Sequence, residues 1–119
     1  MGCTTERACK VRVVRRKLVV FVPVSALESV CEALFAAGAG HIGGYERCAW
    51  YTPGMGTFLA GEGAAPTIGE VGQERRIGEY RLETVYPTEL EADVVRALLE
   101  SHPYEEPVFD LYELLEPEL

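Results

Sequence analysis

Seven residues near the carboxyl end of the chain, SHPYEEP at 101–107, bring together side chains that could do chemistry. An imidazole from His102 beside the carboxylates of Glu105 and Glu106 suits a divalent metal such as zinc, copper, iron or manganese. Together with Tyr104, the same groups could instead hold the polar atoms of a small ligand. The segment is therefore a candidate ligand site, with His102 and Glu106 as its candidate metal ligands.

The same segment also has a purely structural interpretation. Pro103 lacks an amide hydrogen and disfavours helical backbone angles at His102, so a preceding helix must end there. Pro107 cannot donate to a sheet but is tolerated as the first residue of a strand. The motif would then be a rigid hinge between a helix and a strand. A metal site needs three or four ligands, and His41 is the only other histidine, although symmetric subunits could contribute one histidine each.

A second candidate region is the glycine-rich stretch at 53–72, PGMGTFLAGEGAAPTIGEVG. Its composition predicts mostly turns, with a short hairpin around 57–59 as an option. Backbone amides of Gly54, Gly56 and Thr57 could hold a small anion. The stretch has two glutamates and no lysine, which is unlike a cradle for a nucleotide polyphosphate. Chain reversal alone would also explain its glycines.

The elements that must position these residues follow from the hydrophobic pattern. Alternating or β-branched runs predict four strands, at 17–23, 44–52, 77–86 and 107–115. Apolar residues at helical spacing predict two helices, each opened by a capping box, Ser25 with Glu28 and Thr88 with Glu91. The order strand, helix, strand, strand, helix, strand is that of a ferredoxin-like α+β fold, an antiparallel sheet with two helices on one face.

Composition limits the class of protein. The 119 residues suit one domain, expected at 17–115, after a disordered basic leader at 1–16 and before a short tail at 116–119. The alternation over 11–14 could also extend the first strand into that leader. A net charge of −8 on an acidic body argues against nucleic acid. Without a long apolar run, signal peptide or CxxC pair, we expect a cytoplasmic protein with reduced thiols and no membrane partner.

A sheet covered by helices on one face leaves its other face and its edges open. Oligomerisation, with edge strands pairing between subunits, is the simplest way to cover them. Trp50, Tyr45 and Tyr51 suit sheet packing or a contact between subunits. The sequence therefore predicts a homo-oligomer.

Several stretches together resemble a known domain: AGAGHIGGYERCAWYTPGMGTF, PTIGEVG, LETVYP and HPYEEPVFDLYEL. They resemble the PII/CutA-like domain of the YqfO-type family, also called the NGG-interacting-factor-three-like family, over residues 17–115. CutA proteins have a similar histidine–proline–tyrosine segment at the same helix-to-strand junction. The resemblance implies a stand-alone module, trimeric, with small ligands held in clefts between subunits near the base of the 53–72 connection.

In full-length family members this domain is inserted into a larger dinuclear-metal domain, sometimes described as a GTP cyclohydrolase homologue. The metal cluster of that domain needs several histidines, which this sequence lacks, so we expect no hydrolase activity and assign no catalytic residue. The expected function is binding of a small ligand or metal, with a regulatory role, between subunits near His102, Tyr104 and Glu106. No cofactor is assigned beyond the option of a divalent metal. The alternatives are a structural or partner-docking domain with a hinge, and an enzyme acting on a small substrate at the clefts.

Overall fold

The computed structural model describes residues 11–117, which form four strands and two helices. The strands are β1 (Val11–Pro23), β2 (Ala49–Leu59), β3 (Glu74–Pro87) and β4 (Phe109–Pro117), and the helices are α1 (Leu27–Ala36) and α2 (Glu91–Ser101). All strands pair antiparallel in one sheet of order β2-β3-β1-β4. This confirms the predicted ferredoxin-like α+β fold.

Both helices pack on the same face of the sheet, because alternate strand residues point to that face. Leu18, Val20 and Val22 of β1 are fully buried, and Leu82 and Tyr86 of β3 join them. The helices contribute Val30, Leu34, Val94 and Leu98 to the same core. Burying each such side chain stabilises the fold by about 1.5–3 kcal/mol relative to leaving it in water, so this face fixes the register of the strands.

The opposite face of the sheet, called the open face below, has no helix over it among the described residues. Its centre is a charged network in which Glu83 accepts from Lys17 at 3.1 Å and from Arg81 at 2.9 Å. Trp50 on β2 and Tyr112 on β4 flank this network on the same face, and about half or more of the surface of each is exposed. The open face is thus polar in the middle and aromatic towards both edges.

The predicted capping boxes are wrong. Each helix is entered through a 3-10 turn, Val24–Ala26 or Thr88–Leu90, and neither helix start has a side-chain cap. A proline precedes each turn in extended backbone and presets the chain direction. Glu91, which was expected to cap, instead accepts from Tyr86 and Arg16. The helices themselves are where the sequence predicts them.

The second strand begins later and runs further than predicted. Residues 44–48 form a turn region rather than strand, with Arg47 in the left-handed conformation at φ 59°. The strand then continues through Pro53 to Leu59, where turns were predicted. β2 is at the edge of the sheet, which is where a strand tolerates a proline such as Pro53.

The limits of the other elements differ in smaller ways. β1 begins at Val11, so residues 11–16 belong to the sheet and not to a disordered leader, while residues 1–10 lie outside the described part. β4 begins at Phe109, two residues after Pro107. The prediction that the second helix ends at His102 is confirmed, since that residue is extended at φ −79° and ψ 134°. Within residues 11–117 no helix is long and apolar enough to cross a membrane.

Candidate functional site

His102 is buried at the junction between α2 and β4, with 6% of its surface exposed. Its Nε2 lies 2.8 Å from the carbonyl oxygen of Phe21, and its Nδ1 accepts from the amide of Tyr104 at 3.1 Å. These partners require a neutral ring with the proton on Nε2. Both nitrogens are therefore used to tie the end of the helix to β1, and His102 could bind a metal only by giving up one of these hydrogen bonds.

Tyr104 turns in the other direction, towards β3. Its hydroxyl donates to Glu79 Oε2 at 3.4 Å, and its ring packs against that of His102 with centroids 4.9 Å apart. Burial, followed by the negative charge of Glu79 and the hydrogen bond to it, raises the pKa of Tyr104 to about 12. At neutral pH, Tyr104 is thus a neutral phenol whose proton faces a carboxylate.

The connection between β2 and β3, called the 60–73 loop, closes on itself and docks on SHPYEEP. The amide of Gly72 donates to the carbonyl of Ala60 at 2.7 Å and closes the base of the loop. Glu105 then accepts from the amide of Ala65 at 3.3 Å, and the Thr67 hydroxyl donates to the carbonyl of Pro103 at 3.3 Å. The two candidate regions of the sequence are therefore in direct contact.

Between these segments lies a cavity of about 380 Å³, called the main cavity. Its polar lining consists of Thr57, Thr67, Glu79, Tyr104, Glu105 and Glu106, and its apolar lining of Phe21, Phe58, Ala60, Ala64, Pro66, Ile68 and Val108. The volume lies in the range of small-molecule sites, and the mixture of apolar walls with a few polar groups is typical of them. The cavity is the candidate functional site.

Of the seven candidate ligand-binding residues, five meet at the main cavity: Gly56, Thr57, Tyr104, Glu105 and Glu106. The other two do not line it. His102 is buried beneath the cavity segment, and Gly54 lies on β2, where an added Cβ would point into open space. Residues 54–57, whose amides were the candidate anion ligands, are extended strand paired with β3 and not the predicted turns. Such a strand does not direct successive amides to one point.

Glu79 and Phe21 are site residues that the sequence pattern did not single out. Glu79 lies within the alternating 77–86 run, on the face opposite to its core residues, and nothing in that pattern marks it as special. Only the pairing of β2 with β3 places it beside Gly56, where an added Cβ would collide with the carboxylate of Glu79. The missing side chain at 56 therefore makes room for this carboxylate.

No group of three or more histidine, cysteine, aspartate or glutamate side chains that could hold a metal ion is found in the part of the chain that the structure describes. His41, the other histidine, lines a separate cavity of about 190 Å³ with Glu46 and Arg47. Arg47 is paired there with Glu32 and lies 4.8 Å over the Phe35 ring. His102 and Glu106, the candidate metal ligands of the sequence, belong to no such group among residues 11–117.

Comparison with known sequences identifies close relatives over most of the chain. A protein from Mycobacterium tuberculosis called GTP cyclohydrolase 1 type 2 homolog is 48% identical over 101 residues, which are 85% of this chain and 27% of that protein. The protein of the same name from Bacillus subtilis is 50% identical over 97 residues, 82% of this chain and 26% of its own length. The chain thus spans about a quarter of the curated relatives it matches. No family model matches it.

Comparison with solved structures agrees with the comparison of sequences. A Bacillus cereus protein related to NIF3 superposes with a TM-score of 0.75 and 44% identity, covering 86% of this chain and 26% of its own. The divalent cation tolerance protein CutA from Archaeoglobus fulgidus gives 0.61 at 15% identity, covering 84% and 83%. A GlnK–ATP complex from B. subtilis gives 0.58 at 10% identity, covering 85% and 82%. The last two likenesses show a shared fold.

Proposed function

Because this chain belongs to the NIF3-related, YqfO-type family, of which it represents the PII/CutA-like segment, we propose that it is a ligand-binding, regulatory module. The ligand occupies the main cavity, and the protein works as a homo-oligomer, a trimer, in the cytoplasm. The proposed role is non-enzymatic. The free thiols of Cys31 and Cys48 suit a reducing compartment.

A single observation carries the binding role: the glycine-rich stretch and the SHPYEEP motif, which are far apart in the sequence, line one cavity of ligand size. A loop that only reversed the chain would not need to reach the 102–108 segment. Here it does so through Ala65 and Thr67, and both contacts stand at the cavity wall. Loops held on a rigid sheet in this way are common sites of binding.

The open face supports the oligomeric part of the proposal. Trp50 is 61% exposed and Tyr112 is 49% exposed, and large exposed aromatic side chains on a sheet are typical of interaction surfaces. Both edges of the sheet, β2 and β4, are also unpaired among the described residues. A second copy of the chain could cover the aromatic rims and pair with an edge strand.

Native mass spectrometry of protein purified without chelator tests both parts, because one spectrum reports subunit number and retained small molecules. We expect a trimer with a small mass in whole-number ratio to the subunits. The variant Ala64→Trp, which fills the cavity, should lose that mass, while the control Ala92→Trp, on the exposed side of α2, should keep it. A monodisperse monomer would refute the oligomer, and an added mass that survives Ala64→Trp would refute the site.

A structural role for the hinge is compatible with this function, because different residues serve the two roles. His102 is committed to hydrogen bonds within the fold, whereas Tyr104, Glu105 and Glu106 face the cavity. We therefore propose that SHPYEEP both joins α2 to β4 and forms one wall of the ligand site.

A further inference from the structure

The charge of the main cavity has one sign. Glu79, Glu105 and Glu106 line it, and its lining has no lysine, arginine or histidine. Within residues 11–117 none of these three carboxylates is in an ion pair with a basic side chain. Among the charged residues of this lining, a phosphate or carboxylate would meet only carboxylates, whereas a cation would be attracted by all three of them.

The nearby basic side chain of Arg81 does not neutralise this charge. Its guanidinium lies 5.8 Å over the ring of Phe21, but it is ion-paired with Glu83 on the open face and does not line the cavity. Two of the three hydroxyl groups of the lining are engaged, since Thr67 donates to Pro103 and Tyr104 donates to Glu79. The three carboxylates, with the hydroxyl of Thr57, are thus the polar groups with capacity left for a ligand.

The walls of the cavity favour an organic body over a bare ion. The rings of Phe21, Phe58 and Tyr104 line it together with Pro66 and Ile68. Aromatic faces attract an organic cation through their electrostatic quadrupole, and apolar walls bury its hydrocarbon part. A metal ion would leave these walls unused and would find no cluster of three suitable ligands among the described residues.

We infer that the main cavity binds a small organic cation, an ammonium or amidinium group attached to an apolar body about the size of one or two rings. Glu79 and Glu106 take the cationic group, and Phe21 and Phe58 take the body. The inference rests on the proposed function, because it names the class of ligand that the same site accepts. Gly56 contributes indirectly, since its missing side chain leaves the space that the Glu79 carboxylate occupies.

Three probes with one indole body and different charge test the inference: tryptamine, 3-methylindole and indole-3-acetate. Binding to the full chain at pH 7 is followed by amide shifts of Ala65, Thr67 and Tyr104 in ¹⁵N-edited NMR spectra and by calorimetry. We expect tryptamine to bind at least about tenfold more tightly than indole-3-acetate, with 3-methylindole between them. Glu79→Gln and Glu106→Gln should each remove most of this preference, while Glu100→Gln, on α2 outside the cavity, should keep it.

The outcomes separate the ligand class from the site. Equal binding of tryptamine and 3-methylindole, or tighter binding of indole-3-acetate, would overturn the organic cation and leave the cavity as a ligand site. Failure of all three probes to shift the cavity amides would overturn the inference, while the mass retained in the native spectrum and lost in Ala64→Trp would still support the proposed function. Zinc chloride is tested without a probe and then in competition with tryptamine. If zinc shifts the same amides and displaces tryptamine, the inference is overturned in favour of a metal.

Discussion

Two tyrosine–glutamate hydrogen bonds among the described residues have opposite electrostatic surroundings. At one end of the sheet, Tyr86 donates to Glu91 Oε1 at 2.8 Å, and Arg16 donates to the same oxygen at 2.7 Å. At the main cavity, Tyr104 donates to Glu79 at 3.4 Å, and the surrounding lining has further carboxylates in place of an arginine. The first charge is balanced within the fold, and the second is not.

This difference distinguishes a structural carboxylate from one available to a ligand. Glu91 joins the start of α2 to β1 and β3, and a buried hydroxyl and a guanidinium satisfy it. Glu79 accepts a hydrogen bond from Tyr104, lines a cavity with apolar walls and has no ion pair with a basic side chain among residues 11–117. We therefore expect the balancing cation of Glu79 to come from outside this part of the chain.

The largest effect is expected from His102→Ala, because His102 anchors the segment that carries Tyr104, the partner of Glu79 at the cavity. The change removes both hydrogen bonds of a buried ring, and it leaves the Phe21 carbonyl and the Tyr104 amide without those partners. We expect the free energy of unfolding to fall by about 2–3 kcal/mol, measured by urea denaturation. His41→Ala, at an exposed histidine, is the control and should change it by less than about 0.5 kcal/mol. A loss no larger than that of the control would contradict the structural role of His102.

Tyr86→Phe tests the pair formed by Tyr86 and Glu91, in which Arg16 balances the carboxylate. Tyr86 has no exposed surface, so the variant keeps the packed ring and removes only the hydroxyl that Glu91 accepts. We expect a loss of about 1–2 kcal/mol in the free energy of unfolding at pH 7. A variant as stable as the parent would show that Arg16 alone satisfies Glu91. The hydrogen bond from Tyr86 would then not contribute to the stability of the fold.

The fold could be predicted from the sequence because its signals are local and agree. Alternation in β1 and β3 and the helical stripes in α1 and α2 each mark the same core face. The errors occur where local patterns compete with the sheet. The stretch after Pro53 looks like turns by composition, yet edge pairing with β3 holds it extended to Leu59. The second capping box fails because Tyr86 of β3 and Arg16 of β1 engage Glu91.

Only the part of the site that has a local sequence signal could be predicted. Tyr104, Glu105 and Glu106 are adjacent in the sequence and share a wall of the cavity, so the motif alone could indicate them. The roles of His102 and Glu79 depend on partners far along the chain, Phe21 for the histidine and Tyr104 for the glutamate. Neither contact leaves a local pattern, and each exists only once the strands are in register.

A smaller effect is expected in the pH dependence of stability, which also tests the pair formed by Tyr86 and Glu91. The hydrogen bond from Tyr86, followed by that from Arg16, lowers the pKa of Glu91 below its ordinary value of 4.5. A carboxylate with a lowered pKa adds stability that is present above pH 4.5 and is lost as the pH falls through its folded value. We expect the parent and Tyr86→Phe to differ most at pH 7 and to converge towards pH 3. Urea denaturation at several pH values measures this, and a constant difference would contradict it.

The smallest effect on stability is expected from Tyr104→Phe, the matched change at the cavity. The hydroxyl is partly exposed and its hydrogen bond to Glu79 is long, so its removal should alter the free energy of unfolding by less than about 0.5 kcal/mol. Tryptamine should still bind within about threefold of the parent, because the ring and all three carboxylates remain. If Tyr104→Phe were as destabilising as Tyr86→Phe, the two pairs would be equally structural. The charge of Glu79 would then belong to the architecture of the fold, and the case for an external cation would lose its main support.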